Sequence, residues 1–384
     1  MIFWGVCCIM RKKALILAVT AVISLLPSAV YAIADEARSA CVINGVTGEI
    51  VFEKNAYEQH SMASTTKIMT AVVALENSRP DDVITVSGDA AIQEGSSAYI
   101  SEGDRIFMRD MLFGLMLNSG NDAAYAIAEH IAGSREAFAD IMNWYAWEKM
   151  GAVHTQFINP SGLDGEGHYS TAYDMALITR YAMRIPEFRR IVATRTMTAQ
   201  PLNRDEPLYF SNHNKLLDMY DGCIGVKTGY TSATGRCFVS AAERDGMLFI
   251  AVTLDDNDDW NDHTEMLDYA FSQHYPKKAV EKGQIVKKSS VDGEDYEFIY
   301  GSDFVVPVRA DERVDLKVVN HMENGLTRPI NEGEKVGWAE IFYGDTLVGT
   351  VDIISESEIR GVSNLRLKNS FFSSFVRTFN MWLM

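Results

Sequence analysis

The sequence predicts a mixed α/β domain followed by a small all-β module and a terminal amphipathic helix. Three observations support this fold class. Helices and strands interleave over the first 275 residues, short alternating runs follow Pro276, and an aromatic, cationic segment ends the chain. A length of 384 residues, at roughly 100–200 per domain, suggests two domains. The 47% hydrophobic content excludes a disordered or collagen-like chain.

The charge balance excludes one large class of function. The chain has 35 lysine and arginine residues against 52 aspartate and glutamate residues, a formal net charge of −17. Nucleic-acid binding depends on neutralising phosphates with basic side chains. We therefore expect no nucleic-acid partner.

The N-terminus has the order of a secretory signal peptide. Arg11, Lys12 and Lys13 precede an apolar run from Ala14 to Val30, and small residues follow around Ala32 and Ala34. A basic region, an apolar region and a small-residue cleavage site define such a leader. We assign residues 1–34 to it, with an uncleaved anchor as the alternative, and expect an exported protein.

The elements of the first domain follow from periodicity. An alternating stretch from Ala40 to Phe52, broken at Thr47-Gly48, predicts a β-hairpin. Thr171 and Asp174 are spaced like a capping box at the start of a helix. Apolar residues at helical spacing predict helices at Thr65–Leu75, Met108–Leu117, Asp122–Ala132, Arg135–Met150 and Thr171–Met183. Two strands are predicted at Cys223–Thr228 and Arg236–Ala242, which enclose a turn region, and a third at Met247–Leu254. Together they predict an α/β domain over residues 35–275.

The composition changes after Pro276. Short alternating runs with turn signals at Asn331-Glu332-Gly333 and Gly344-Asp345 indicate a small β-rich domain over residues 276–365. The clearest runs are Phe304–Val308, Val314–Val319 and Lys335–Tyr343.

The final segment, residues 366–384, predicts an amphipathic helix. At helical spacing its large aromatic residues fall within one narrow arc. The segment from Ile359 to the end also has four basic residues and no acidic one. Such a helix suits a membrane interface, and packing against the β-module is the alternative. The aromatic residues are Phe371, Phe375, Phe379 and Trp382, and the basic ones are Arg360, Arg366, Lys368 and Arg377.

Ser64-Thr65-Thr66-Lys67 is the first motif that points to chemistry. The spacing places the hydroxyl of Ser64 and the amine of Lys67 on one helix face, about a turn apart. A serine becomes a nucleophile when a nearby base takes its proton, and a buried lysine can be that base. The alternative is a helix cap at Ser64 and a solvated charge at Lys67.

Two further motifs follow in order along the chain. Ser119-Gly120-Asn121 lies between two predicted helices, and Lys227-Thr228-Gly229 ends a predicted strand. Each alone is an ordinary turn or strand end. In this order and in these settings, the three motifs together indicate a serine enzyme.

These motifs resemble those of the penicillin-recognising serine enzymes, in particular the low-molecular-mass penicillin-binding proteins that are D-alanyl-D-alanine carboxypeptidases. The likeness extends over residues 36–275 and is carried by Ala63–Thr70, Asn118–Ala124, Asn159–Asp164 and Gly225–Thr231. It implies a β-lactamase/transpeptidase-like domain with a five-stranded, mainly antiparallel sheet flanked by helices. The β-module and the tail look like that family's usual C-terminal additions.

The resemblance implies roles for the residues that act on the scissile bond. Ser64 would attack the carbonyl of the penultimate D-alanine, and Lys67 would accept its proton. Ser119 would relay a proton to the departing amine, and Asn121 would orient Lys67 and the substrate amide. Water would then hydrolyse the acyl-enzyme, without a metal or another cofactor.

The resemblance also implies the binding residues. Lys227 and Thr228 would bind the terminal carboxylate of the stem peptide, and Lys227 would depress the proton affinity of Lys67. The backbone N–H groups of Ser64 and Tyr230 would form the oxyanion hole. Gly229 would allow the substrate backbone to approach the strand closely.

The implied partners are a peptidoglycan pentapeptide ending in D-Ala-D-Ala, β-lactam antibiotics, and the membrane surface through the terminal helix. The implied location is the extracytoplasmic face of the bacterial cytoplasmic membrane. Alternatives are a class A-like β-lactamase, a DD-endopeptidase or transpeptidase, and a catalytically silent cell-wall binding protein. The β-lactamase alternative is weakened because Glu166 lacks the sequence context of a deacylating glutamate.

The acidic run from Asp255 to Asp262 lies where relatives often place an arginine, downstream of the lysine-threonine-glycine strand, that helps to bind the substrate carboxylate. This run contains no arginine, which leaves Arg236 as the candidate for that role. The run lacks the glycine and glutamate of a calcium loop and predicts a solvated loop.

Cys223 and Cys237 flank a turn, and we expect buried thiols, with a disulfide as the alternative. His168 and His213 are expected to be structural.

Overall fold

The structure, a computed structural model, describes residues 33–291, 294–322 and 329–359. Most of the predicted leader and the whole predicted terminal helix lie outside these residues. None of the helices in the described ranges is both long enough and apolar enough to span a bilayer.

The described chain contains strands and helices in an interleaved order. The strands are β1 (Ser39–Asn44), β2 (Ile50–Lys54), β3 (Val83–Thr85), β4 (Arg105–Phe107), β5 (Thr196–Ala199), β6 (Leu208–Ser211), β7 (Cys223–Thr231), β8 (Gly235–Arg244), β9 (Met247–Leu254), β10 (His274–Val280), β11 (Ile285–Val291), β12 (Glu294–Tyr300), β13 (Phe304–Arg309), β14 (Leu316–Met322), β15 (Lys335–Tyr343) and β16 (Thr346–Ser355). The helices are α1 (Lys67–Asn77), α2 (Gly88–Ala91), α3 (Met108–Leu117), α4 (Asn121–Ala132), α5 (Arg135–Trp144), α6 (Ala172–Ala182), α7 (Pro186–Ala193), α8 (Leu216–Met219) and α9 (Asp259–Gln273).

A five-stranded antiparallel sheet in the order β2-β1-β9-β8-β7 forms the centre of the first domain. Successive residues of a strand point to opposite faces, and here both faces are covered. Ile43 of β1 packs in the core that includes α1 and α6, whereas Val42 packs in the core that includes α9. Every residue of β9 is buried as a result. The predicted α/β fold class is confirmed.

The predicted hairpin, the three late strands and the five helices of this domain are all present, with two changes at helix ends. The helix predicted from Thr65 begins as a 3₁₀ turn at Ala63–Thr66 and becomes α-helical at Lys67. The helix predicted from Arg135 ends in a π-helical turn at Tyr145–Lys149. At α6 the Thr171 hydroxyl accepts a hydrogen bond from the Asp174 N–H at 3.0 Å, which confirms this predicted cap.

The β-module contains a second five-stranded antiparallel sheet, in the order β11-β12-β16-β15-β14, and a two-stranded pair of β10 and β13. Its own apolar core includes Phe298, Val306, Ile341 and Ile353. Strands β13, β14 and β15 correspond to the predicted runs, whereas β10, β11, β12 and β16 were not predicted. Strand β11 has a polar and charged centre, so it lacks the alternation that reveals a half-buried strand.

The prediction of a solvated loop over the acidic run Asp255–Asp262 was wrong. Helix α9 begins inside the run, and Asp256, Asp259 and Asp262 have only 0%, 2% and 6% of their surface exposed. Carboxylates are favourable at a helix N-terminus because they face the positive end of its dipole. Burial, with Asp256 close by, raises the pKa of Asp262 to about 7.

The three cysteines in the described part of the chain are free thiols. Cys41 and Cys237 are buried and Cys223 is half-buried. The disulfide alternative for Cys223 and Cys237 is therefore excluded in this structure.

Candidate active site

The 3₁₀ turn Ala63–Thr66, called here the serine turn, holds Ser64 at the N-terminal end of α1. Ala63 has a φ of 47°, which lies in the left-handed region that non-glycine residues seldom occupy. The hydroxyl of Thr65 fastens the turn by donating to the carbonyl of Met62 at 2.7 Å. Ser64 is half-buried at the surface of a cleft, whereas its turn neighbours are buried.

Lys67 lies under Ser64 with none of its surface exposed. Its Nζ is 2.9 Å from the Ser64 Oγ, 2.7 Å from the Asn121 Oδ1 and 2.6 Å from the Ser161 carbonyl oxygen. The amide and carbonyl oxygens can only accept hydrogen bonds. A neutral lysine that donates its two hydrogens to them keeps its lone pair for the Ser64 hydroxyl.

Burial and a neighbouring cation both favour the neutral form of Lys67. Desolvation lowers its pKa well below the ordinary value, the charge of Lys227 lowers it further, and Asp122 acts in the opposite direction. Lys227 is itself buried, and desolvation lowers its pKa to about 7. Its Nζ donates to the Thr228 carbonyl at 2.8 Å.

The Ser119-Gly120-Asn121 motif joins α3 to α4 and brings Asn121 to Lys67. Both ends of the Asn121 side-chain amide are held, because its Oδ1 accepts from Lys67 and its Nδ2 donates to the Glu94 carbonyl at 2.5 Å. Ser119 is 4% exposed and has a φ of 60°. No hydrogen bond from its hydroxyl is found among the described residues. Its predicted role therefore rests on its place in the motif.

Strand β7 is an edge strand, so its outer side faces the cleft. A Cβ atom added to Gly229 would lie 2.9 Å from the Ser64 nitrogen, a separation that real Cβ atoms do not show. Only glycine allows the strand to approach the serine turn this closely. Thr228 is half-buried beside it and Tyr230 is 66% exposed at the rim. The structure thus brings Lys227, Thr228, Gly229 and Tyr230 to one wall of the cleft.

A loop over residues 159–164, called here the brace loop, forms the opposite support of the site. Asn159 Oδ1 accepts hydrogen bonds from the backbone N–H groups of Ser161 and Gly162 at 3.1 and 2.8 Å. A Cβ on Gly162 would lie 1.9 Å from the carbonyl oxygen of Ala63. The brace loop therefore packs directly on the serine turn and presents the Ser161 carbonyl to Lys67.

Sequence reasoning missed two contributors to this site. The Ser161 contact uses a backbone carbonyl, which has no residue-type signal, although the surrounding Asn159–Asp164 segment was part of the resemblance. Asp122 was missed because it does not touch Ser64. Its carboxylate accepts hydrogen bonds from the Ser97 hydroxyl at 2.6 Å and from the N–H groups of Ala98 and Ile100 at 2.8 and 3.3 Å, which fastens α4 to the segment before β4.

Glu166 and His168, two further residues singled out from the sequence, lie outside the immediate site. Glu166 is exposed, and none of the three hydrogen-bond partners of Lys67 is a carboxylate. The buried His168 accepts at Nδ1 from the Ile158 N–H, so its Nε2 donates to the Thr66 hydroxyl at 2.9 Å. Desolvation lowers the pKa of His168 to about 4, which favours a structural, neutral imidazole.

Arg236, the candidate carboxylate-binding cation, lies on β8 directly opposite Tyr230. Its guanidinium donates to both carboxylate oxygens of Asp259 at 2.8 Å. Arg236 is thus held in an ion pair near the start of β8, and the acidic run supplies the partner.

Comparison with known proteins decides the family. A model of the D-alanyl-D-alanine carboxypeptidase family matches residues 27–258. The chain belongs to this family. A second family model, the C-terminal domain of penicillin-binding protein 5, matches residues 275–360 and covers the β-module. The resemblance of the first domain and of the β-module to this family is confirmed.

Individual carboxypeptidases of the family are similar over most of the chain. The D-alanyl-D-alanine carboxypeptidase DacF of Bacillus subtilis is 32% identical over 364 residues, which is 91% of each protein. DacD of Escherichia coli is 36% identical over 231 residues, 57% of this chain and 58% of the relative. The solved structure of DacD from Francisella tularensis has 28% identity and a TM-score of 0.60, covering 84% of this chain and 93% of that one.

A further solved structure, a mutant of the Streptomyces K15 DD-transpeptidase, has 33% identity and a TM-score of 0.59 over 62% of this chain and 98% of that one. The names of the relatives favour the carboxypeptidase reading over the β-lactamase alternative.

Proposed function

We propose that this carboxypeptidase removes the terminal D-alanine from peptidoglycan stem pentapeptides through an acyl-enzyme on Ser64. One observation carries the proposal. The Lys67 amine touches two groups that only accept hydrogen bonds and one hydroxyl, that of Ser64. This arrangement directs the lone pair of a neutral lysine at the nucleophile.

In the first half-reaction, Ser64 Oγ forms a bond to the carbonyl carbon of the penultimate D-alanine while its proton passes to Lys67 Nζ. The peptide C–N bond then breaks, and Lys67 passes its proton through Ser119 to the departing amine of D-alanine, which leaves Lys67 neutral again. In the second half-reaction water bonds to the ester carbon and gives one proton to Lys67. The ester C–O bond then breaks, and Ser64 Oγ takes that proton back from Lys67. The two half-reactions as written require no cofactor.

Strand β7 forms one wall of the cleft and supports the proposed binding of the substrate. The N–H groups of Ser64 and Tyr230 would donate to the oxyanion, and the close approach at Gly229 brings the two segments together. Lys227 and Thr228 would bind the terminal carboxylate, and Asn121 would hold Lys67 in place. A substrate backbone can add to the free edge of β7 as a further strand. A β-lactam antibiotic would acylate the same serine.

The test is the release of free D-alanine from a peptide that ends in D-Ala-D-Ala, together with a long-lived penicillin adduct on the protein. Rapid turnover of penicillin without an adduct would instead favour a β-lactamase.

The two lysines predict a pH profile. Activity requires Lys67 to be neutral, so the rate rises as pH passes its depressed pKa. Carboxylate binding requires Lys227 to be charged, so kcat/KM falls as pH rises through about 7, the pKa of Lys227. We expect the fall to disappear with a substrate whose terminal carboxylate is replaced by an amide. The same alkaline fall with both substrates would contradict the role of Lys227.

We further propose that residues 1–34 direct export, that residues 35–275 and 276–365 form separate domains, and that residues 366–384 bind the extracytoplasmic face of the cytoplasmic membrane. The aromatic arc and the basic residues of the tail support the last point. Deletion of residues 367–384 is expected to release the protein into the soluble fraction on sedimentation with membranes. Continued sedimentation of the truncated protein would refute the membrane role of the tail.

A further inference from the structure

Asp164 connects the three segments that line the cleft. It ends the brace loop, and its Oδ1 accepts hydrogen bonds from the hydroxyls of Ser61, at 2.9 Å, and Thr234, at 2.6 Å. The two hydroxyl oxygens lie 2.8 Å apart. Ser61 precedes the serine turn, and Thr234 lies in the turn between β7 and β8. One carboxylate oxygen therefore connects the nucleophile, the brace loop and the substrate-binding strand.

This connection matters because β7 has a free edge. Its hydrogen-bonded neighbour in the sheet is β8, and its other side borders the cleft. Sheet pairing therefore does not fix the distance between β7 and the serine turn. That distance is short at Gly229, where an added Cβ would lie 2.9 Å from the Ser64 nitrogen and 3.1 Å from the Thr65 nitrogen. Contacts across the cleft must set it.

The brace loop is well placed to do so because its middle is anchored to the serine turn and to Lys67. At Gly162 it packs against the Ala63 carbonyl, and at Ser161 its carbonyl accepts from Lys67. Asn159 also closes the loop on itself by donating to the Leu163 carbonyl at 2.8 Å. Asp164 thus extends a rigid support from the serine turn to the β7–β8 turn.

We propose that Asp164 is a positioning residue that sets the gap between the Ser64 N–H and the edge of β7, and so the geometry of the oxyanion hole. The inference rests on the proposed function. Asp164 acts through Ser61 and Thr234 and does not touch substrate. Burial opposes ionisation of Asp164, but hydrogen bonds from Thr231, Thr234 and Ser61 outweigh it and lower the pKa. The carboxylate is therefore ionised at neutral pH.

The test compares Asp164→Ala with Asp164→Asn. Both hydroxyls donate to the same oxygen, and asparagine retains one acceptor oxygen at that position. We expect Asp164→Ala to lower the rate constant for acylation by benzylpenicillin by roughly 10–100-fold, since small misplacements of reacting groups have effects of that size. Asp164→Asn should remain within about 3-fold of wild type, because position rather than charge is required.

Asp174→Ala is the matched control. Like the exposed Asp164, the buried Asp174 holds two donors, since it accepts from the Thr155 hydroxyl at 2.8 Å and the His154 N–H at 2.7 Å, but it lies in the first turn of α6, outside the cleft contacts described above. It should lower the melting temperature without the acylation defect. Wild-type acylation in Asp164→Ala, or equal losses in Asp164→Ala and Asp164→Asn, would overturn the inference. Failure of the wild-type protein to form any adduct would instead overturn the proposed function.

Thr234→Val removes the hydroxyl that donates to Asp164 and leaves the carboxylate in place. This variant decides the question if Asp164→Ala does not fold. It should slow acylation to a similar degree. In the double variant Asp164→Ala/Thr234→Val the loss should be smaller than the product of the two single losses, because both changes remove one contact. An acylation rate in Thr234→Val equal to wild type would refute the role of the link.

Discussion

Replacing Ser64 with alanine is expected to abolish the release of D-alanine from a peptide ending in D-Ala-D-Ala. The side chain is the nucleophile of the proposed acyl-enzyme, and its hydroxyl is the one contacted by the buried amine of Lys67. Loss of a serine nucleophile lowers kcat by ~10⁶-fold in a well-studied serine peptidase. Labelled penicillin should also leave no adduct on the variant, whereas peptide mass spectrometry of the wild-type protein should map the adduct to Ser64.

Ser78→Ala is the matched control for this variant. Ser78 lies at the other end of α1, where its hydroxyl donates to the Ala74 carbonyl at 2.7 Å. It should retain wild-type release and the adduct. Undiminished D-alanine release by Ser64→Ala would remove Ser64 from its role and with it the proposed mechanism.

Replacing Lys67 with alanine is expected to lower the rate of acylation by roughly 10²–10⁴-fold, the usual contribution of a general base. The change also leaves the Asn121 Oδ1 and the Ser161 carbonyl without the donor they have in the buried site. Leaving such groups unsatisfied costs about 1–3 kcal/mol each. A lower melting temperature should therefore accompany the kinetic defect. The measurement is the rate of penicillin adduct formation at fixed pH.

The matched control is Lys54→Ala. Lys54 likewise donates to two carbonyl oxygens, those of Ala34 and Asp35, at 2.9 and 2.8 Å, but has no contact with Ser64. It should lower stability and leave acylation intact.

Lys67→Arg keeps a positive charge at this position but removes the base, because arginine stays protonated in proteins. Wild-type acylation in either Lys67 variant would show that another group takes the proton.

Elements with a strong local pattern were predictable. Helix α3 has the predicted bounds Met108–Leu117, and β9 has the predicted bounds Met247–Leu254. Strand β11, with its charged centre, and helix α9, which begins among aspartates, gave no such pattern. Asp259 is buried beside Arg236, an ion-pair partner 23 residues away that a local pattern does not contain.

The family and the residue types of the site can be recognised without a structure, because side chains that perform a given reaction must be of particular chemical kinds in a particular order. Ser64, Lys67, Ser119 and Lys227 were found in this way. The contacts that hold these residues in place are visible only in the folded chain. The Ser161 carbonyl on Lys67, the approach of Gly229 to Ser64, and the link through Asp164 are contacts between segments distant in the chain. They depend on backbone atoms and distances, which no local pattern of residue types encodes.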